Sequence, residues 1–392
     1  MLDQSTIEVI KATAPAVREN AEAITEHFYP LLFKEFPEVI PYFNQTNQGK
    51  GTQTKALAVA LVAYAENIDS LGNLSSAVEK IVQKHCSLGI QPEHYGMVGA
   101  CLLQSIKAVL GEAASDKVIS DWGKAYHQLA SILINAEETV YLENENREGG
   151  WRGEREFKLV SKTTESQIIS SFYFESVDGE SIPEFQPGQF ITLIIELKGE
   201  KIRRNYSLSN APNNKHFRIS VKREPKGVVS NYLHDKLELG GTVNLLPPCG
   251  DFVLRKNNKP LVLLTGGVGI TPAISMLNAE ANSNRNIHFI HAALNSQVHA
   301  FKEHVDELSN GSRNISTYYL YSEPTDICEP DGRGFITSEL IASLIPDNRD
   351  VEYYVLGPKP FMSAALKIAK ELRIPKEQVH YEFFGPSEAL AV

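Results

Sequence analysis

Apolar residues recur at three- and four-residue spacing through the first part of the chain, where Ala56, Leu57, Ala60, Leu61, Tyr64 and Ala65 share one helical face. Ser5-Thr6-Ile7-Glu8 has the form of a capping box at a helix start. Glycine and proline are sparse here, so residues 1–145 are predicted to be helical throughout. The polar run 143–150 ends in paired glycines and predicts a helix terminus leading into a linker. From Trp151 the pattern shortens to alternating runs such as 168–174, separated by the turn clusters Pro187-Gly188 and Pro247-Pro248. That pattern predicts an antiparallel β-barrel over 146–258. After Pro260, apolar runs at 261–264, 287–292 and 351–356 alternate with helical stretches, which predicts an α/β domain with a parallel sheet over 259–392.

Length agrees with a multidomain reading, because 392 residues exceed one ordinary core. A net charge of -10 argues against nucleic acid, whose phosphates need a concentrated basic surface. Cys86, Cys101, Cys249 and Cys328 show no paired spacing, so neither a zinc ribbon nor a four-cysteine iron–sulfur cluster is encoded locally. A reduced, cytoplasmic setting is expected. The chain starts on an amphipathic stretch, and no window approaches the roughly 18 continuous apolar residues of a membrane span.

Chemistry concentrates in three places. The turn Thr265-Gly266-Gly267-Val268-Gly269-Ile270-Thr271-Pro272 follows a predicted buried strand and opens a helical pattern. Unhindered backbone N–H groups at a helix N-terminus suit an anionic pyrophosphate. Arg204-Asn205-Tyr206-Ser207 places a cation and two hydroxyls on a predicted strand. Among 11 histidines, most of which serve as surface or core residues, His85 stands out. It sits on a helical run, with Phe43, Gln53 and Leu57 upstream.

The segment 204–207 resembles the flavin motif of the ferredoxin–NADP reductase superfamily, and 265–272 resembles its nicotinamide loop. By that resemblance Arg204 neutralises the flavin pyrophosphate, while Asn205, Tyr206 and Ser207 line the isoalloxazine and ribityl chain. Ser230, within Gly227-Val228-Val229-Ser230-Asn231, falls in a segment that supplies backbone amides. Phe190 follows Pro187-Gly188-Gln189 and replaces the tyrosine usual in flavohaemoglobins, keeping the ring for stacking. Leu356-Gly357-Pro358 stands where the superfamily has cysteine-glycine-proline, a cysteine that lies beside the nicotinamide. Phe383-Phe384-Gly385-Pro386 matches the flavohaemoglobin ending, with Phe383 in place of cysteine. Phe384 is expected to stack over the flavin and to yield to nicotinamide.

The first domain resembles a bacterial haemoglobin. The resemblance makes His85 the proximal haem ligand, Phe43 the wedge against the porphyrin, and Tyr29, Gln53 and Leu57 the distal side. A phenol at Tyr29 offers a charge-assisted hydrogen bond to a polar gas ligand. Tyr95 and Glu137 join His85 in a relay, Glu138 being the rival assignment for the carboxylate. Lys84 and Phe383 are expected to tune the redox centres. Pro30, directly after Tyr29, predicts a disturbed helix at that point.

Over its whole length the chain resembles a flavohaemoglobin. That resemblance implies nitric oxide dioxygenase activity in nitrosative-stress detoxification: oxidation of nitric oxide to nitrate by O2, with electrons passing from NAD(P)H through FAD to haem b. NADH is favoured over NADPH, since Ala293-Leu294-Asn295-Ser296 offers no Arg or Lys for a 2′-phosphate. A monomer with no obligate protein partner is expected, and the apolar haem pocket leaves a membrane lipid open as a further ligand. Two other readings stand beside it: an NADH-dependent ferric or flavin reductase whose helical domain lacks haem, and an oxygen or nitric oxide sensor or store.

Overall fold

The protein, a computed structural model, is described at residues 2–43 and 52–384, with the side chains at 52–56, 58 and 59 outside that description. Gly385 and Pro386 therefore lie outside the described residues, as does the side chain of Gln53. Two compact units emerge: Met1–Asn146 with Glu196–Arg203, and Arg147–Ile195 with Arg204–Phe384.

The first unit is helical. It contains α1 (Gln4–Glu19), α2 (Ala21–Glu35), α3 (Thr52–Glu66), α4 (Ser75–Leu88), α5 (Pro92–Leu110) and α6 (Asp116–Asn146). The expected capping box at Ser5 does not form. Asp3 caps α1 instead, its Oδ1 accepting from the Thr6 N–H at 2.8 Å, because a carboxylate one position before the helix reaches the orphan amides better than a hydroxyl inside it. Pro30 is accommodated within α2, which continues to Glu35 while burying Ile24, Phe28, Tyr29 and Leu32. These residues pack with Ile10, Val17 and Trp122 into one core, and Trp122 Nε1 donates to Thr13 Oγ1 at 3.0 Å. Gly89, at φ 77°, terminates α4 in the left-handed conformation that favours glycine.

Residues 147–384 hold two sheets, residues 196–203 of the first being grouped with the first unit. The first is antiparallel, with β1 (Arg155–Thr164), β2 (Ile169–Ser176), β3 (Phe190–Leu197), β4 (Glu200–Ser207), β5 (Phe217–Lys222) and β6 (Thr242–Leu245) in the order β4-β3-β6-β1-β2-β5. The helix α7 (Val228–Asp235) follows β5. The second sheet is parallel, with β7 (Leu261–Gly266), β8 (Ile287–Ala293), β9 (Ile315–Tyr321), β10 (Gly332–Arg333), β11 (Glu352–Leu356) and β12 (Val379–Tyr381) in the order β10-β9-β8-β7-β11-β12. The helices α8 (Ile270–Glu280), α9 (Lys302–Gly311), α10 (Ser338–Leu344) and α11 (Lys359–Glu371) connect its strands.

Every residue of β7 and of β11 is buried. Leu261 and Leu263 enter one apolar cluster and Val262 and Leu264 the other, so both faces of the sheet are covered. Such strands read as unbroken apolar runs in sequence. None of the four cysteines is in a disulfide, and all are buried. Among the described residues no helix is long and apolar enough to cross a membrane.

Candidate functional site

Three helices of the first unit converge on His85. Its Nδ1 lies 2.8 Å from Glu137 Oε1 and 3.0 Å from the Tyr95 hydroxyl, and that hydroxyl donates to Glu137 Oε1 at 2.5 Å. Glu137 is 2% exposed. It occupies the buried stripe Ala125, Ala130, Leu133, Glu137 and Tyr141 of α6, whereas Glu138 falls off that stripe. The structure thus brings Glu137 to His85. Burial, and then the bond to Glu137, push the Tyr95 phenol far above its ordinary value, so it stays a donor. Among the described residues both ring bonds of His85 are made at Nδ1, which leaves Nε2 as the nitrogen open to a ligand. A carboxylate behind the ring is the usual support of a metal-binding histidine.

Sequence reasoning missed two supports. The Tyr126 hydroxyl donates to the Tyr95 carbonyl at 2.7 Å, and the Tyr141 hydroxyl donates to the Ile90 carbonyl at 2.6 Å. Both phenols project from α6, the helix that carries Glu137. Their spacing along that helix was the available signal.

Tyr29, Phe33 and Phe43 form an aromatic group. Tyr29 meets Phe43 edge to face with centroids 5.9 Å apart, and Phe33 meets Phe43 at 5.3 Å. Tyr29 is buried, and that burial pushes its phenol up to about 12, so it remains protonated at neutral pH. Leu57 packs against the same cluster. Lys84 is exposed on α4 beside His85. An imidazole held through Nδ1, together with an apolar aromatic wall, fits the donor set that a haem requires. No group of three or more His, Cys, Asp or Glu among the described residues offers an alternative metal site.

In the second unit, Arg204, Asn205, Tyr206 and Ser207 end β4. Arg204 and Tyr206 are half-buried, and desolvation lowers the Arg204 pKa from its ordinary value and raises that of Tyr206 strongly. Asn205 Oδ1 accepts from Thr192 Oγ1 at 3.2 Å on β3. Ser230, in the first turn of α7, accepts from the Glu224 N–H at 3.2 Å. A Cβ on Gly227 would lie 2.3 Å from Ser230 Oγ and 2.9 Å from Glu224 Cβ, so a side chain there would displace both. Phe190 exchanges backbone bonds with Cys249, both at 2.9 Å.

The glycine turn follows β7 as expected. Gly267–Gly269 form one tight turn with Gly267 at φ 53°, and α8 begins at Ile270 with Ile270, Thr271 and Pro272 buried. Thr271 Oγ1 donates to the Val268 carbonyl at 3.1 Å. Leu356 is fully buried in the apolar cluster with Leu263 and Ile274. Phe383 is half-buried against the Met362 cluster, whereas Phe384 is 44% exposed.

One feature of this unit had no sequence signal. His291 and His299 stack with centroids 4.4 Å apart, and their Nδ1 atoms bond Thr265 and Tyr321 at 2.8 Å. Among the described residues their buried Nε2 atoms have no hydrogen-bond partner.

Comparison with known proteins agrees with this geometry. A globin family matches residues 26–133, an oxidoreductase FAD-binding domain 156–254, and an oxidoreductase NAD-binding domain 263–367. The chain is 49% identical over 391 residues to a flavohemoprotein of Pseudomonas putida, covering 100% of both proteins. It is 49% identical over 392 residues to a flavohemoprotein of Burkholderia sp. strain TH2, again covering 100% of each. Among solved structures, it is similar to a flavohemoglobin of Malassezia yamatoensis with bound FAD and heme, at TM-score 0.87 and 26% identity, covering 98% of this chain and 100% of that one. It also resembles the FAD/NAD-binding domain of a nitric oxide dioxygenase from Vibrio cholerae, at TM-score 0.56 and 32% identity, covering 59% of this chain and 99% of that one.

Proposed function

This chain belongs to the flavohemoprotein family, and from that premise we propose that it consumes nitric oxide and oxygen and releases nitrate, drawing electrons from NAD(P)H. It is an oxidoreductase that carries haem, FAD and a nicotinamide in one polypeptide. The observation that carries the reading is the bonding of half-buried His85 to the buried Tyr95 and Glu137, which makes sense as the back of a haem ligand. In this reading the working divisions are 1–145 for haem, 146–258 for FAD and 259–392 for the nicotinamide.

When bound, FAD divides the hydride pair of NAD(P)H into single electrons, and haem supplies a one-electron metal centre for the gases. The chain does the rest. Glu137 holds the Nδ1 proton of His85 and so raises the electron density at Nε2, while Tyr95 fixes the carboxylate by donating to the same oxygen. Tyr29, protonated because it is buried, would offer a donor to a gas bound at the haem. Phe43 and Leu57 would keep water from it, and the resemblance implies Gln53, whose side chain lies outside the described residues, as a second polar group.

Arg204 brings positive charge to a pyrophosphate, and Tyr206 and Ser207 line the flavin ring and its chain. The turn 266–269 presents backbone N–H groups to the nicotinamide's phosphates. Phe190 and Phe384 would offer aromatic faces to the flavin, and Phe384 would have to move for nicotinamide to reach it. The protein acts as a monomer in the cytoplasm, and the apolar wall beside Tyr29 has the chemistry to take a lipid chain.

The test is anaerobic addition of NADH to purified protein, followed by oxygen and nitric oxide, with flavin and haem absorption recorded together. Flavin bleaching should precede haem reduction, and nitrate should then accumulate at the expense of NADH. Flavin bleaching without haem reduction refutes the electron path. A gas store would fail to produce nitrate steadily, and a plain flavin reductase would lack a Soret band that His85→Ala removes.

A further inference from the structure

We propose that His380 is a positioning residue for the reductase site: it pins the terminal strand so that Phe384 stands at the edge of the parallel sheet where the dinucleotide binds. The proposal rests on the reading of Phe384 as the flavin's cover.

β12 is a three-residue strand at the edge of its sheet, paired among the described residues with β11 alone. So short an edge strand gains little from its ladder. Its hold comes from a side chain. His380 lies opposite Tyr354 in the register, and the two rings stack with centroids 4.5 Å apart and planes at 28°. His380 Nε2 is also 2.6 Å from Glu352 Oε2. Glu352 is buried, and its other oxygen accepts from Asn257 Nδ2 at 2.7 Å.

The same cluster reaches the segment that joins the two sheets of this unit. Tyr354 OH donates to the Val253 carbonyl at 2.9 Å and accepts from the Arg255 N–H at 2.8 Å. Arg285 donates to Asn257 Oδ1 at 3.2 Å and to the Arg255 carbonyl at 3.1 Å. One imidazole thus ties the last strand to β11 and, through β11, to the chain that leads out of the antiparallel sheet.

Direction decides the consequence. β12 runs parallel to β11, and β11 parallel to β7, so β12 ends on the same side of the sheet as the glycine turn after β7. That carboxyl edge is where open α/β sheets take their ligands. Phe383 turns into the core beside Met362, whereas Phe384 remains 44% exposed, which leaves its ring available to a ligand. Its place is set by the anchor just before it.

The experiment uses the full holoenzyme with ferricyanide as electron acceptor, which bypasses the haem, and compares His380→Leu, His380→Gln and Phe384→Ala. Flavin fluorescence, which a stacked aromatic quenches, should rise in Phe384→Ala and in His380→Leu. The KM for NADH should fall about threefold in both, with the effect on KM larger than on kcat, since less of the binding energy is spent on displacing the ring. His380→Gln keeps a donor toward Glu352 and should stay near the wild type. The proposal is overturned if His380→Leu lowers only the melting temperature while Phe384→Ala changes fluorescence and KM, or if His380→Gln behaves like His380→Leu. If Phe384→Ala itself alters neither readout, the reading of Phe384 fails and takes this one with it.

Discussion

Gly269 and Leu356 lie backbone to backbone: a Cβ on Gly269 would stand 2.5 Å from the Leu356 carbonyl oxygen and 2.7 Å from the Gly357 nitrogen. Both neighbours are main chain, so neither can swing aside. Gly269→Ala should therefore cost about 1–3 kcal/mol of stability, as overpacked sites do, and should weaken NADH binding by opening the turn. Chemical denaturation and the KM for NADH check this. A fully stable variant with unchanged KM would show that the two turns can separate freely.

At His85, replacing the carboxylate behind the ring should loosen it without removing it. Glu137→Gln should keep its haem but lower the iron–histidine stretching frequency in resonance Raman spectra, with activity down about 10-fold or more, the usual effect of losing such a partner. Glu138→Gln should leave that frequency unaltered, because Glu138 lies off the buried stripe of α6. A shift in the second variant and none in the first would reverse the assignment.

Tyr29→Phe should speed oxygen dissociation about 10-fold or more, the value of one hydrogen bond to a partly charged acceptor. The rate of flavin reduction by NADH should hardly change. Stopped-flow displacement of oxygen measures the first quantity and anaerobic mixing with NADH the second. An unaltered dissociation rate removes Tyr29 from its proposed role.

The paired imidazoles of the α/β domain should make the protein acid-sensitive. Burial, and then the neighbouring charge, hold His291 well below 6.5 and His299 at about 3. Once unfolded, both bind protons near 6.5, so the unfolded state carries more protons between those values. Stability is then complete above the unfolded value and falls as pH drops through the window, by up to about 1.4 kcal/mol per pH unit for each ring. Denaturant titrations from neutral pH downward should show that slope, and His299→Phe should flatten it. An unchanged slope would falsify the idea that this pair carries it.

Much of the architecture was legible along the chain because its signals are local. Buried strands such as β7 read as unbroken apolar runs, the glycine turn announces a strand-to-helix junction, and the polar stretch ending in Gly149-Gly150 marks where helix gives way to strand. The helix start was misread at Ser5, since Asp3 and Ser5 are both good caps and only the actual path of the backbone chooses between them. Leu356 was legible as a departure from a motif, but its complete burial was not, because that depends on how α8 packs across β11.

What the order of residues determined by itself was a set of short-range facts: the period of each segment, the chemistry available at His85, Arg204 and Gly266, and the succession of helical, antiparallel and parallel regions. What only the tertiary structure decided was which distant groups meet. Glu137 rather than Glu138 reaches His85 from across 52 residues, His380 finds Glu352 from across 28, and His291 and His299 stack around Thr265 and Tyr321. The physical reason is that a hydrogen bond or a ring contact acts over a few ångströms, while the chain that brings its partners together is long. Periodicity along the backbone tells which face a residue occupies, and packing alone tells what that face will touch.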